Sequence, residues 1–214
     1  MNSTRILLVR HGETAWNADG RVQGHIDIAL SAVGQVQAER LAQALRGEAI
    51  DVIYSSDLAR AQQTAQAVAG ATGAPLHTLV SLRERHFGAF QGRSFADIQA
   101  IAADQAERWR RRVPDWEPPG GGESLLSFQE RITQAVSALA AENMGKHIGV
   151  FTHGGVLDVL YRAATRLGLQ DARTWQLGNA AINRLLWTPD GGFALVGWAD
   201  TFHLDEPTRD ERFT

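Results

Sequence analysis

The 214-residue chain contains no cysteine. That absence excludes disulfides, zinc–thiolate sites and thiol catalysis, and it fits a reducing compartment. Lysine is nearly missing as well: Lys146 stands alone against twenty arginines. With arginine so common, no arginine cluster carries weight by residue type alone. No apolar run approaches the roughly eighteen residues of a membrane span. Met1 to Arg5 lacks the long apolar core of a signal peptide, so a cytoplasmic location is expected. The net charge of −3 argues against a general nucleic-acid binder. Residues 200–214 hold five acids and two arginines, and residues 1–199 hold nineteen charges of each sign. The chain has no internal repeat and no break in composition. One domain over residues 1–214, with an acidic tail at 200–214, is therefore expected.

What is present is organised around Arg5-Ile6-Leu7-Leu8-Val9-Arg10-His11-Gly12-Glu13-Thr14. Four consecutive apolar residues read as a short buried strand. The run stops at a cation and an imidazole, at the carboxyl end where ligands bind in open α/β sheets. Gly12 lets the backbone turn sharply or approach a ligand closely. A histidine beside an arginine in such a place suits nucleophilic attack on phosphorus. The ring nitrogen attacks, the arginine neutralises phosphoryl oxygens, and a phosphohistidine divides one hard transfer into two easier ones. Ile148-Gly149-Val150-Phe151, ending at Thr152-His153-Gly154-Gly155, repeats the pattern. Two such strand ends in one parallel sheet can bring both imidazoles to one edge.

Periodicity sets out the rest. A helix starts at Ser31, with Val36, Leu41 and Leu45 on its apolar side and Gly47 at its end. Val52-Ile53-Tyr54 is a strand, and Ser55-Ser56-Asp57 offers N-cap oxygens to a helix from about Leu58 to Ala69. Pro75–Val80 is a further strand. Ser94-Phe95-Ala96-Asp97 has capping-box spacing and opens a helix reaching about Arg111. Pro114 to Gly122 is a loop. Ser127-Phe128-Gln129-Glu130 repeats the capping-box spacing, for a helix through Ile132, Val136 and Leu139 to Asn143. A helix from Val156 to Leu167 precedes two strands, Ala181–Trp187 and Phe193–Trp198, joined by turn residues. This alternation predicts an α/β fold, a three-layer α/β/α sandwich with a mainly parallel central sheet.

Leu8 to Asn17, followed by Arg21-Val22-Gln23-Gly24, closely resembles the signature of the histidine phosphatase superfamily. That group contains the cofactor-dependent phosphoglycerate mutases and many small-molecule phosphatases. Three further stretches match it: Ser55 to Ala65 around Arg60, Leu82 to Gly92 around Glu84, and Thr152-His153-Gly154. The resemblance covers Arg5 to about Ala199 and implies a phosphoglycerate mutase-like fold. It implies His11 as nucleophile, Glu84 as general acid and base, and Arg10, Arg60 and His153 as ligands of the phosphoryl group. Asn17, Gln23, Gly12, Thr14, Arg85 and Gly154 are expected to add phosphate or substrate contacts. No metal is implied, because arginines do the neutralising. A zinc site built from His11, His25, His86 and His153 lacks ligand-motif spacing. The role of His86 stays open. Arg110-Arg111-Arg112 reads equally as a clamp for a carboxylate or second phosphate and as cations favoured at a helix C-terminus.

The activity implied is that of a phosphomonoesterase of the histidine acid phosphatase type, acting on small phosphorylated metabolites. No nucleic-acid or membrane partner is expected. Oligomeric state is unassigned, with a dimer one option. Two alternatives stand beside this reading: a phosphoglycerate mutase primed by 2,3-bisphosphoglycerate, and a non-catalytic phosphate-binding protein on the same fold. Glu84-Arg85-His86-Phe87-Gly88 and Trp109-Arg110-Arg111 look like a mutase. Three departures point the other way. A lysine expected shortly after Gln91-Gly92 is absent, with Phe95 in the region; Gly155 replaces an asparagine; and Trp109 to Glu123 is shorter than the mutases' covering insertion. With less material to exclude water, hydrolysis is favoured.

Overall fold

The computed structural model describes residues 2–205, so residues 206–214 of the expected acidic tail lie outside the described residues. In chain order the elements are β1 (Thr4–Arg10), α1 (Ala15–Ala18), α2 (Ala32–Leu45), β2 (Val52–Ser56), α3 (Ala59–Thr72) and β3 (Leu76–Leu79). Then come α4 (Phe95–Ile101), α5 (Ala103–Arg110), α6 (Leu125–Glu142), β4 (His147–Thr152), α7 (Gly154–Thr165), β5 (Ile182–Thr188) and β6 (Gly192–Asp200).

β1 is apolar throughout its middle because it is covered on both faces. Ile6 and Leu8 join a core with Phe128, Ile132 and Val136 of α6 and Val156, Leu157 and Leu160 of α7. Leu7 and Val9 join the opposite core, with Leu41 and Leu45 of α2 and Ala65 and Val68 of α3. Successive side chains of a strand point to opposite faces, so this alternation is the three-layer sandwich seen from one strand. Full burial of each such side chain is worth about 1.5–3 kcal/mol.

The six strands lie in the order β3-β2-β4-β1-β5-β6. β3, β2, β4 and β1 are mutually parallel, and β5 and β6 add an antiparallel hairpin beside β1. The chain leaves β1 through α2 and leaves the neighbouring β4 through α7, on opposite faces. That divergence opens a crevice at the carboxyl ends of β1 and β4, the usual place for a ligand in such sheets.

Several local expectations shift. The loop after β1 contains α1, capped by the Thr14 hydroxyl. Val36 is 47% exposed rather than on the buried side of α2, where Gly34, Ala38, Leu41, Ala42 and Leu45 face the core. Ser55 and Ser56 belong to β2, and the side chain that caps α3 is Asp27, whose carboxylate accepts from Ala59 N at 2.7 Å. The helix after Ser94 keeps its capping box but breaks at Ala102, so α4 and α5 are separate. α6 starts three residues earlier than its capping-box spacing indicates, because Ser124 accepts from Ser127 N at 3.1 Å. α4 and α5 carry a small third core of Phe90, Ile98, Ala106 and Trp116 beside the crevice.

The turn after β1 presses directly on the first turn of α2. A Cβ on Gly12 would sit 2.6 Å from Gly34 O, and a Cβ on Gly34 would strike Glu13 O. Gly34→Ala inside a helix would ordinarily gain about 1 kcal/mol. Here it should lose about 1–3 kcal/mol, because backbone must move to admit the methyl group. The measurement is the urea midpoint; an unchanged or higher midpoint contradicts this contact.

Candidate active site

The register of β1 and β4 pairs Arg10 with Thr152, so His11 and His153 each stand one residue past adjacent strand ends. His11 N donates to Thr152 O at 2.9 Å. Both imidazoles are buried, with ring centroids 5.3 Å apart. The two His-Gly segments do meet at one sheet edge.

His11 Nδ1 lies 2.7 Å from Gly12 O. A carbonyl only accepts, so Nδ1 carries the hydrogen and Nε2 keeps its lone pair. Burial, then the charges of Arg10 and Arg60, hold the His11 pKa well below its ordinary value of 6.5. His153 is likewise held well below 6.5 by burial, then by Arg60, His11 and Arg10. Both rings are therefore neutral at pH 7.

Arg60 is 1% exposed in the first turn of α3, and it donates from Nη1 to Ile26 O at 3.0 Å and from Nη2 to Gly24 O at 2.8 Å. Burial pushes its pKa down to about 10, which leaves it charged. Arg10 donates from Nη1 to Leu177 O at 2.5 Å. Nε of Arg10, Nε of Arg60, Nδ1 of His153 and Oε1 of Gln23 are buried without a hydrogen-bond partner among the protein's own groups. His153 Nε2 is engaged with Ser56 Oγ at 2.9 Å. Arg10, His11, Asn17, Gln23, Arg60 and Glu84 are among the residues lining a pocket of about 200 Å³. It shares Arg10, Glu84, Phe87, Trp109 and Gly154 with an adjoining cavity of about 670 Å³.

Glu84 is half-buried on the wall of both spaces. Its Oε1 accepts from Arg85 N at 2.8 Å and its Oε2 from Gly155 N at 2.9 Å, at the start of α7. Its carbonyl accepts from His25 Nε2 at 2.8 Å. Arg131 holds the same segment, donating to the carbonyls of Ser81, Arg83 and Glu84 while pairing with both oxygens of Glu123.

The remaining expected contacts divide. Asn17 lines the pocket with Oδ1 taken by Thr14 N and the Thr14 hydroxyl, leaving its NH₂ for a ligand. Gln23 and Gly154 line it too. Thr14 is fully buried as the cap of α1, so it orients Asn17 instead of lining either space. The Gly12 N–H is spent on Thr64 Oγ1 at 3.0 Å, so Gly12 serves the close packing against α2. Arg85 lines the wider cavity but is a buried strut, with Nε on Glu123 O at 2.6 Å and Nη2 on Trp116 O at 3.2 Å. His86 packs edge-on against His25 at 4.8 Å and accepts from Gly88 N, which is a structural role.

The arginine run does not act as one clamp. Arg110 and Arg111 both pair with Glu107 on the surface, and Arg112 donates to Leu169 O and Asp158. Sequence reasoning missed Asn179, which donates to His11 O at 2.9 Å, and missed Arg131, Asp27 and Arg173. None of these sits in a motif, so spacing carried no signal for them. Among the described residues no group of three or more His, Asp or Glu side chains could hold a metal ion, and no helix is long and apolar enough to cross a membrane.

Residues 6–201 match the family model of the histidine phosphatase superfamily, branch 1. The chain is 37% identical to phosphoglycerate mutase-like protein 4 of Arabidopsis thaliana, over 94% of this chain and 87% of the relative. It is also 37% identical to a metal-independent phosphoserine phosphatase of the same plant, over 94% and 83% of the two chains. Among solved structures it is similar to phosphoserine phosphatase of Entamoeba histolytica in complex with 3-phosphoglyceric acid. That likeness has a TM-score of 0.83, 30% identity, and coverage of 94% of this chain and 100% of the other.

The two depressed imidazoles set a pH window. Above about pH 7 neither the folded nor the unfolded chain protonates these rings, and their contribution to stability is complete. As pH falls below 6.5 the unfolded chain binds protons first, and stability is lost down to the folded pKa. Each ring adds a slope of at most about 1.4 kcal/mol per pH unit. Urea unfolding in phosphate-free buffer between about pH 7.5 and 5.5 should therefore show a shallower loss in His11→Asn than in the parent. Equal slopes contradict a neutral, buried His11.

Proposed function

The chain belongs to branch 1 of the histidine phosphatase superfamily, and we propose that it hydrolyses phosphomonoesters within one domain, through a phosphohistidine on His11, without a metal, on small phosphorylated metabolites. One observation carries this reading. A neutral imidazole with a free Nε2 stands beside buried nitrogens of Arg10, Arg60 and His153 that no protein group satisfies. Phosphoryl oxygens are the acceptors such nitrogens suit.

His11 Nε2 attacks phosphorus in line, and the bond to the leaving alkoxide breaks. Arg10 and Arg60 neutralise the phosphoryl oxygens. His153 donates from Nδ1, with the Ser56 hydroxyl donating to its Nε2. The Gly12 carbonyl, accepting from Nδ1–H of His11, stabilises the positive charge that develops on the attacked ring. Glu84 gives its proton to the departing oxygen. Water then attacks the phosphohistidine while the Glu84 carboxylate takes a proton from it, the P–N bond breaks, and phosphate leaves a neutral His11. Fixed cations around a dry nucleophile provide electrostatic stabilisation that needs little reorganisation.

A structural feature favours the mutase reading beside the likeness to phosphoglycerate mutase-like proteins: Trp109 and Arg110 line the wider cavity beside the pocket. Incubation with 3-phosphoglycerate, with and without 2,3-bisphosphoglycerate, separates the two. Phosphate release without 2-phosphoglycerate is expected, and rapid isomer formation dependent on the bisphosphate overturns the phosphatase reading.

Two substitutions test the assigned roles. His11→Ala should abolish turnover and leave no acid-labile phosphoenzyme; labelling that persists in this variant refutes His11 as nucleophile. Glu84→Gln should slow hydrolysis of alkyl phosphates by about 10²–10⁴. Its effect on p-nitrophenyl phosphate should be much smaller, because that leaving group needs little protonation. Equal losses on both substrates count against Glu84 as the acid.

A further inference from the structure

Phosphoryl chemistry accounts for the smaller pocket and leaves the adjoining cavity of about 670 Å³ unassigned. That cavity has an aromatic wall of Phe87, Phe95 and Trp109. Around it stand five arginines and only two carboxylates, Glu84 and Asp158. A space so unbalanced in charge favours an anion over a neutral or cationic group.

Four of the five arginines are already employed. Arg10 faces the phosphoryl pocket. Arg85 spends donors on two backbone carbonyls. Arg112 is taken by Leu169 O at 2.5 Å and by Asp158 at 2.6 Å. Arg110 is held by both oxygens of Glu107, each at 2.8 Å. Arg173, exposed on the cavity wall in the segment between α7 and β5, has no ion pair and no side-chain hydrogen bond among the described residues. It is near enough to Arg10 for its charge to disfavour protonation there.

We propose that Arg173 is a specificity-determining residue that binds an acidic group, a carboxylate or a second phosphate, on the alcohol portion of the substrate. The assignment rests on the phosphatase reading above. A guanidinium with its donors uncommitted pairs with either anion bidentately, and the cavity gives the substrate room to carry that group away from phosphorus.

The experiment compares matched substrates that differ in the acidic group: phosphoserine with phosphoethanolamine, 3-phosphoglycerate with glycerol 3-phosphate, and fructose 1,6-bisphosphate with fructose 6-phosphate. The first two pairs probe a carboxylate and the third a second phosphate. The readout is the ratio of kcat/KM within a pair, so a general loss of folded enzyme cancels. The parent should prefer the acidic member of at least one pair by about tenfold to a hundredfold. Arg173→Ala should bring that ratio close to one, chiefly through KM, and Arg173→Lys should keep part of it. Turnover with no preference in the parent, or a preference that Arg173→Ala leaves in place, overturns the assignment while the phosphatase reading stands. No turnover of any pair or of p-nitrophenyl phosphate, with no phosphoenzyme, overturns both.

Discussion

Packing half-buried Arg10 and buried Arg60, the latter from the first turn of α3, around His11 and His153 at the ends of β1 and β4 is the constraint from which the site follows. Each guanidinium keeps its charge, and each charge makes a proton on the neighbouring imidazoles more costly. The rings therefore stay neutral, which is the state a nitrogen nucleophile requires. The same cluster opposes its own folding, since like charges in low dielectric repel and buried cations lose hydration. A phosphoryl dianion offsets both costs at once, so affinity for phosphate and a neutral nucleophile have one electrostatic origin.

Such a cluster holds only if the surrounding backbone is stiff, and the loop from Gly12 to Leu30 shows how this is achieved. Arg60 grips it through the carbonyls of Gly24 and Ile26, and Asp27 returns a carboxylate to the first turn of α3. Gln63 bonds Leu30 N and Gln37 bonds Glu13 N. The loop is thereby stitched to α2 and α3 at both ends, which fixes Asn17 and Gln23 over the pocket. Arg131 does the equivalent for the segment bearing Glu84. Within that segment its partners are backbone carbonyls, and the carboxylate of Glu123 holds the guanidinium from the other side.

The sheet and the central site were legible in the sequence because each rests on short-range pattern. Apolar runs ending in His-Gly placed both histidines, and the helix-capped arginine and the acid loop followed from motif. Their convergence depended on β1 and β4 being neighbours, which parallel strands with opposite crossovers make natural but spacing alone leaves open. What could not be read was side-chain commitment. Gly12 and Thr14 sit inside the strongest motif, yet one bonds Thr64 and the other caps α1. Arg85 and Arg173 are both arginines near the site, and only folding shows that the first is occupied by carbonyls. Val36 has the spacing of an apolar stripe but lies on its solvent edge, where periodicity of 3.6 residues does not separate rim from core.

Gly155 bears on hydrolysis against transfer. Its N–H holds Glu84 Oε2, and a Cβ at this position would strike Glu84 Oε1 and lie 3.1 Å from the Phe128 ring. An asparagine here, as in the mutase pattern, would need another seat for the acid. In this chain the Glu84 carboxylate, the proposed acid, is instead tied by backbone to the start of α7, two residues after His153. A carboxylate fixed in this way can deliver a proton to the leaving oxygen and afterwards collect one from an incoming nucleophile at the same point. On the proposed mechanism, occupancy of the wider cavity decides whether that nucleophile is water or a second alcohol. On the same proposed mechanism, an alcohol product that departs before the phosphohistidine is attacked leaves water in its place.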